Sequence, residues 1–111
     1  MKIAMVASEV VPFAKTGGLA DVAGALPLAL EYCGHEVIVI MPGYKCITQA
    51  KLKIQRVSND ITSAIIGKNI KVFFIENKDY FNRDGLYGDK NSDYPDNLER
   101  FVFFCRRGLE L

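Results

Sequence analysis

Residues 15–22 read Lys15-Thr16-Gly17-Gly18-Leu19-Ala20-Asp21-Val22, and the chain on either side of them decides the fold. Upstream, Lys2-Ile3-Ala4-Met5-Val6-Ala7 is a short apolar run of the kind that forms a strand buried on both faces of a parallel sheet. Ser8 to Thr16 read as an irregular loop around Pro12. Downstream, Leu19, Val22, Ala23, Leu26, Leu30 and Cys33 recur at helical spacing, and Gly34 suits the residue just past the helix end. Pro27 falls inside this pattern, and its missing N–H predicts a kinked or divided helix. Val37–Met41 is a second buried strand, closed by Pro42-Gly43. Strand, glycine loop, helix, strand make a βαβ unit, for which a right-handed crossover is expected.

Further along, Leu52–Val57 alternates weakly, Ile61–Ile66 reads as a strand and Gly67-Lys68-Asn69 as a turn, so this region predicts a hairpin. Ile70–Ile75 is the strongest later strand. Residues 77–94, rich in Asn, Asp, Gly and Tyr, read as a long loop. Pro95 suits the first turn of a last helix, with Asp96 and Glu99 near its positive end and Arg106 and Arg107 near its negative end. Leu98, Phe101, Val102, Cys105 and Leu109 share one face of that helix. Phe103 falls off this stripe and is expected to pack against an element outside the chain. Only about three strands belong to a parallel sheet, fewer than doubly wound sheets carry. The expectation is therefore an α/β fold: a partial Rossmann-like parallel sheet with flanking helices and a hairpin, residues 1–111 being one incomplete domain. An uncovered flank on such a piece predicts self-association.

Half of the 111 residues are hydrophobic, enough for a packed core. Fourteen basic residues against thirteen acidic ones leave a net charge of +1, which excludes a field for nucleic acid or an anionic membrane. Cys33, Cys46 and Cys105 match no zinc or CxxC spacing, and their odd number suits reduced thiols in the cytoplasm. Cys33 and Cys105, in apolar helical patterns, are expected to be buried. No apolar run approaches a membrane span or a secretory signal core. His35, between a helix-ending glycine and a strand, reads as a turn or packing residue.

The glycine segment carries the chemistry. In open α/β sheets ligands sit beyond the carboxyl ends of strands, where this loop lies. A helix N-terminus offers free N–H groups and partial positive charge to phosphate, and glycines allow close backbone approach. Lys15 adds a mobile cation; Asp21 either accepts from a sugar hydroxyl or satisfies the helix dipole. Neither GxGxxG nor GxxxxGK[ST] is present, and no SxxK accompanies Lys15-Thr16-Gly17. The residues by themselves leave a phosphate cradle and a plain tight turn both open. Glu9 is likewise either a ligand contact or an organiser of the loop. Tyr80, Phe81, Tyr87 and Tyr94 either stack on sugar rings or pack locally.

Lys15 to Val22, preceded by Ala7-Ser8-Glu9-Val10-Val11-Pro12-Phe13 and followed by Gly24-Ala25-Leu26-Pro27, resembles the amino terminus of bacterial glycogen synthases and plant starch synthases. Gly34-His35-Glu36-Val37, Met41-Pro42-Gly43-Tyr44, Tyr87-Gly88-Asp89 and Asp93-Tyr94-Pro95-Asp96-Asn97 extend the resemblance over the whole chain, as do Arg100-Phe101 and Phe103-Phe104-Cys105-Arg106.

The resemblance implies a GT-B glycosyltransferase with two Rossmann-like domains facing a cleft, of which this chain is the amino-terminal part. It implies retaining transfer of glucose from ADP-glucose to the non-reducing end of an α-1,4-glucan such as glycogen. It assigns donor binding to Lys15, Gly17, Gly18 and Asp21 and acceptor binding to Tyr94 and Asn97. Positive charge at the leaving diphosphate does the work of a metal, so neither metal nor cofactor is implied. The family's histidine motif, basic pair and glutamate have no counterparts here, so no catalytic residue is assigned and the chain alone is expected to be inactive. UDP-glucose is the other donor. The competing readings are a non-catalytic nucleotide- or glucan-binding module and a different transferase of the same fold.

Overall fold

The computed structural model describes residues 1–48 and 53–111. Among them run β1 (Lys2–Val6), α1 (Gly18–Tyr32), β2 (Glu36–Pro42), α2 (Lys45–Thr48), β3 (Gln55–Arg56), β4 (Ile61–Ile66), β5 (Ile70–Ile75), α3 (Lys78–Phe81) and α4 (Asn97–Leu109). They build one mixed sheet in the order β1-β2-β5-β4-β3. β1, β2 and β5 are parallel, and β5, β4 and β3 are antiparallel. The three expected parallel strands and the hairpin turn at 67–69 are thus present; Gly67, at φ 58°, supplies the left-handed residue the turn requires. Of the expected first hairpin strand, Gln55 and Arg56 are paired and Leu52 lies outside the described residues.

β2 and β5 form the core: Val39, Met41, Val72, Phe74 and Ile75 are essentially inaccessible to solvent. β1 departs from expectation. It is an edge strand whose side chains are half-buried or exposed, not covered on both faces, because a parallel strand is enclosed only where neighbours and helices reach it.

The last turn of α1 closes as foreseen. The His35 N–H reaches the Leu30 carbonyl and the Gly34 N–H the Glu31 carbonyl, with Gly34 at φ 94°. Of the two outcomes expected at Pro27, division of the helix does not occur; Pro27 is buried within an uninterrupted Gly18–Tyr32. The face turned inward overlaps only in part with the one expected. Of the expected stripe Ala23 is buried and Leu30 packs against the core, but Leu19, Val22, Leu26 and Cys33 are exposed, and Ala20, Gly24 and Pro27 are buried in their place. Close approach explains it: a Cβ at Gly24 would stand 2.6 Å from the Val11 carbonyl oxygen, so only small residues fit that face.

α4 shows the same partial shift. Of its expected stripe Phe101 packs against the core, beside the rings of Phe81 and Tyr87, while Leu98, Val102, Cys105 and Leu109 face solvent and Arg100, Phe104 and Gly108 are buried. Phe103 packs inside the chain, its ring 5.6 Å from that of Tyr80. All three cysteines are free and exposed, so Cys33 and Cys105 are not the buried thiols expected of them. Residues 77–94 are more ordered than a plain loop. Asn77 accepts from the Asp79 and Tyr80 N–H groups and so caps α3, and Gly88 bridges Asp93.

Candidate functional site

The glycine loop leaves the carboxyl end of β1 and enters α1, and Glu9 holds it in shape. Glu9 is 2 % exposed, yet its carboxylate is fully engaged. Oε1 accepts the Gly17 N–H at 3.0 Å and the Thr16 N–H at 3.3 Å. Oε2 accepts the Thr16 hydroxyl at 2.6 Å and the Tyr87 hydroxyl at 2.7 Å. Burial pushes this carboxyl up, but the hydrogen bonds from Thr16, Tyr87 and Gly17 outweigh it and hold the pKa at about 2. The two readings of Glu9 therefore resolve: within this chain it organises the loop.

With the Gly17 amide bound to Glu9, Gly17 stands as the N-cap residue of α1 without a side-chain cap. The amides of the first helical turn beyond it have no intrahelical partner. A Cβ at Gly17 or Gly18 would meet nothing within 4 Å, and neither glycine has positive φ. Neither turn geometry nor packing asks for glycine at 17 and 18; open space in front of the backbone is what these residues provide.

Lys15 and Asp21 flank that space. Lys15 Nζ donates to both Asp21 oxygens at 2.9 Å, and both side chains are about half exposed. The pair is a weakly held, mobile cation beside a helix N-terminus. The four donor residues expected from the sequence are thus together on one ledge.

Tyr94 and Asn97 lie in the wall beyond Tyr87, and their polar atoms are turned into the chain. The Tyr94 ring is sandwiched between the guanidiniums of Arg83, at 4.8 Å, and Arg100, at 4.9 Å, while its hydroxyl accepts the Gly85 N–H. Asn97 Nδ2 donates to the Tyr87 carbonyl at 2.8 Å, and Asn97 Oδ1 accepts from Arg100 at 2.7 Å. Phe81 is fully buried, so it packs locally and presents no face to a sugar.

Sequence reasoning gave no role to Ser8, Tyr44 or Arg100. Ser8 hydrogen-bonds Tyr87, and its carbonyl accepts the Tyr44 hydroxyl at 2.6 Å. Burial pushes the Tyr44 hydroxyl far above the ordinary tyrosine range, so it stays a neutral donor. Tyr44 and Tyr87 stand within the family-like motifs, and that was the available signal. A separate concavity of about 560 Å3, lined by Gly43, Arg56, Asp60, Glu76, Asn77 and Lys78, lies past β2 and β5 and does not include the glycine ledge.

Comparison with known proteins adds the following. The family described as starch synthase catalytic domain matches residues 2–111. The chain is 45% identical to glycogen synthase 2 of Geobacter sulfurreducens, over 99% of this chain and 25% of that protein. It is 47% identical to the glycogen synthase of Syntrophotalea carbinolica, over 96% and 24%. Among solved structures it resembles the catalytic domain of starch synthase IV from Arabidopsis thaliana bound to ADP and acarbose. That similarity has a TM-score of 0.77 and 29% identity, and covers 96% of this chain and 24% of that one. The chain spans about a quarter of the length of the relatives it matches.

Proposed function

Because the chain belongs to the starch synthase catalytic domain family, we propose that it supplies the donor-phosphate side of a retaining glucosyltransferase. The enzyme moves glucose from ADP-glucose to the non-reducing 4-hydroxyl of an α-1,4-glucan. The observation that carries this reading is the ledge itself: open space before Gly17 and Gly18, free amides at the α1 N-terminus, and Lys15 beside them. The presence of ADP in the Arabidopsis structure favours an adenine nucleotide over UDP-glucose.

In this reading the bond between the anomeric carbon and the diphosphate oxygen breaks, and ADP leaves carrying the negative charge. The glucan hydroxyl oxygen forms the new bond to the anomeric carbon, and its proton passes to the departing diphosphate. Lys15 exchanges Asp21 for the diphosphate, and the first-turn amides of α1 meet the same oxygens, so both act where charge grows. Asp21 parks the lysine in the empty state. Glu9 prevents the loop from closing over its own amides. For Tyr94 and Asn97 the acceptor contact is proposed only as indirect, since their polar atoms hold the wall of the site. A cytoplasmic location belongs to the same proposal, supported by three free thiols.

The test is a chimera in which this chain replaces the first quarter of the Geobacter sulfurreducens enzyme. Glucan elongation from ADP-glucose, abolished or strongly reduced by Lys15→Ala, is the expected result, with no elongation by the 111-residue chain alone. A chimera that folds yet ignores ADP-glucose would favour the binding-module reading instead.

A further inference from the structure

Arg100 and Glu9 are, among the described residues, the two buried charged side chains, at 0 % and 2 % exposure. No carboxylate touches Arg100. Its Nε donates to the Tyr80 carbonyl at 2.7 Å, and its Nη1 donates to the Leu86 carbonyl at 2.9 Å and to Asn97 Oδ1 at 2.7 Å. Burial and the Arg83 charge weaken its hold on the proton, but a guanidinium stays charged and demands these acceptors. Asn97 passes the constraint on: with its oxygen fixed by Arg100, its amide group must donate outward, and it does so to the Tyr87 carbonyl at 2.8 Å. Tyr87 then reaches Glu9 through its hydroxyl at 2.7 Å, and Glu9 holds the Thr16 and Gly17 amides. Two buried charges of opposite sign are thus linked, from the first turn of α4 to the glycine loop, by three hydrogen bonds and the covalent frame of Tyr87, held at its backbone carbonyl by Asn97 and bonded at its hydroxyl to Glu9.

We propose that Arg100 and Asn97 are positioning residues for the donor loop, acting through Tyr87 and Glu9 on the Thr16 and Gly17 amides. The inference rests on the donor-site reading for its purpose, though its geometry stands apart from it. The relay gives the loop a partner in a different element, so that the shape presented to a phosphate depends on how α4 and the preceding segment are seated.

Amide hydrogen exchange of the 111-residue chain tests it, with Gly17 and Thr16 as reporters and Val39, in the middle of β2, as the measure of global opening. Asn97→Ala and Tyr87→Phe should each speed exchange at Gly17 about tenfold, the equivalent of about one hydrogen bond, beyond any change at Val39. Asp84→Ala, in the same segment but outside the run, with an exposed carboxylate that meets only Lys45, should leave Gly17 unchanged. ADP titrated into the same samples should bind about tenfold more weakly to the first two variants. The proposal is overturned if Gly17 and Val39 accelerate together, if Asp84→Ala acts like Asn97→Ala, or if ADP affinity holds while Gly17 exchange rises. Should ADP bind neither wild type nor variant, the donor-site reading fails for this chain, while the exchange comparison still decides whether the relay sets the loop.

Discussion

The Tyr87 hydroxyl donates to Glu9 Oε2 at 2.7 Å across 78 positions of sequence, tying the wall of the site to the loop that opens α1. Its hydrogen is one of the contacts that keep Glu9 ionised in a buried setting. Acid should therefore loosen the site. A carboxyl held at about 2, against an ordinary 4.5, contributes stability that is present above pH 4.5 and is lost as pH falls toward 2. For a group this enclosed the loss is on the order of 3 kcal/mol. Asp60, held low by Arg107, and Asp96, held low by Arg83, add losses of the same sign. Urea denaturation across that range should give a steeper acid branch for wild type than for Glu9→Gln; equal slopes would remove Glu9 from this role.

The ledge can be altered without disturbing the fold. Gly17→Ala and Gly18→Ala place a Cβ in open space, so melting temperature should change little. Lys15→Ala breaks only an exposed ion pair, worth about 0–1 kcal/mol. All three should weaken ADP binding, by about tenfold or more for Lys15→Ala. Calorimetric titration beside a thermal melt checks both halves; unchanged affinity would mean the open face serves no phosphate.

Gly24→Ala should do the reverse. Its Cβ would press on the Val11 carbonyl at 2.6 Å, and the backbone that holds Glu9 must then shift. A destabilisation of about 1–3 kcal/mol is expected, measured by denaturant unfolding.

The uncovered stripe on α4 predicts concentration-dependent self-association. Leu98 and Leu109 are 74% and 89% exposed. Sedimentation velocity should show larger species as concentration rises, and Leu98→Glu with Leu109→Glu should remove them. A monomer at all concentrations would refute the prediction. In the same samples Cys33 and Cys105 should react with a thiol reagent without prior unfolding.

The strands and the end of α1 were legible because their signals are local: a short apolar run, a turn glycine, a glycine after a helical pattern. The ledge was legible for the same reason, since Lys15 to Asp21 are contiguous. Which face of each helix turns inward was not. Periodicity groups Leu19, Val22 and Leu26, or Leu98, Val102 and Leu109, but it cannot say what covers them. The faces that pack in this chain keep Ala23, Leu30 and Phe101 from the expected stripes and are completed by Ala20, Gly24 and Gly108, whose smallness carries little hydrophobic signal. The cysteines were misplaced with those faces. The partners of Glu9, Tyr87 and Arg100 lie many residues away, and no spacing rule encodes such contacts.

The far end of α1 bears on how much of the chain melts at once. The Glu31 carboxylate accepts the Lys68 and Asn69 N–H groups at 2.9 and 2.8 Å, clasping the turn between β4 and β5. A helix of fifteen residues is a strut about 22 Å long. One end of this strut carries the amides proposed to meet phosphate, and the other is pinned to the antiparallel half of the sheet. The βαβ unit and the hairpin should consequently open as a single cooperative foldon, so that damage at the turn is felt as fraying at the ledge.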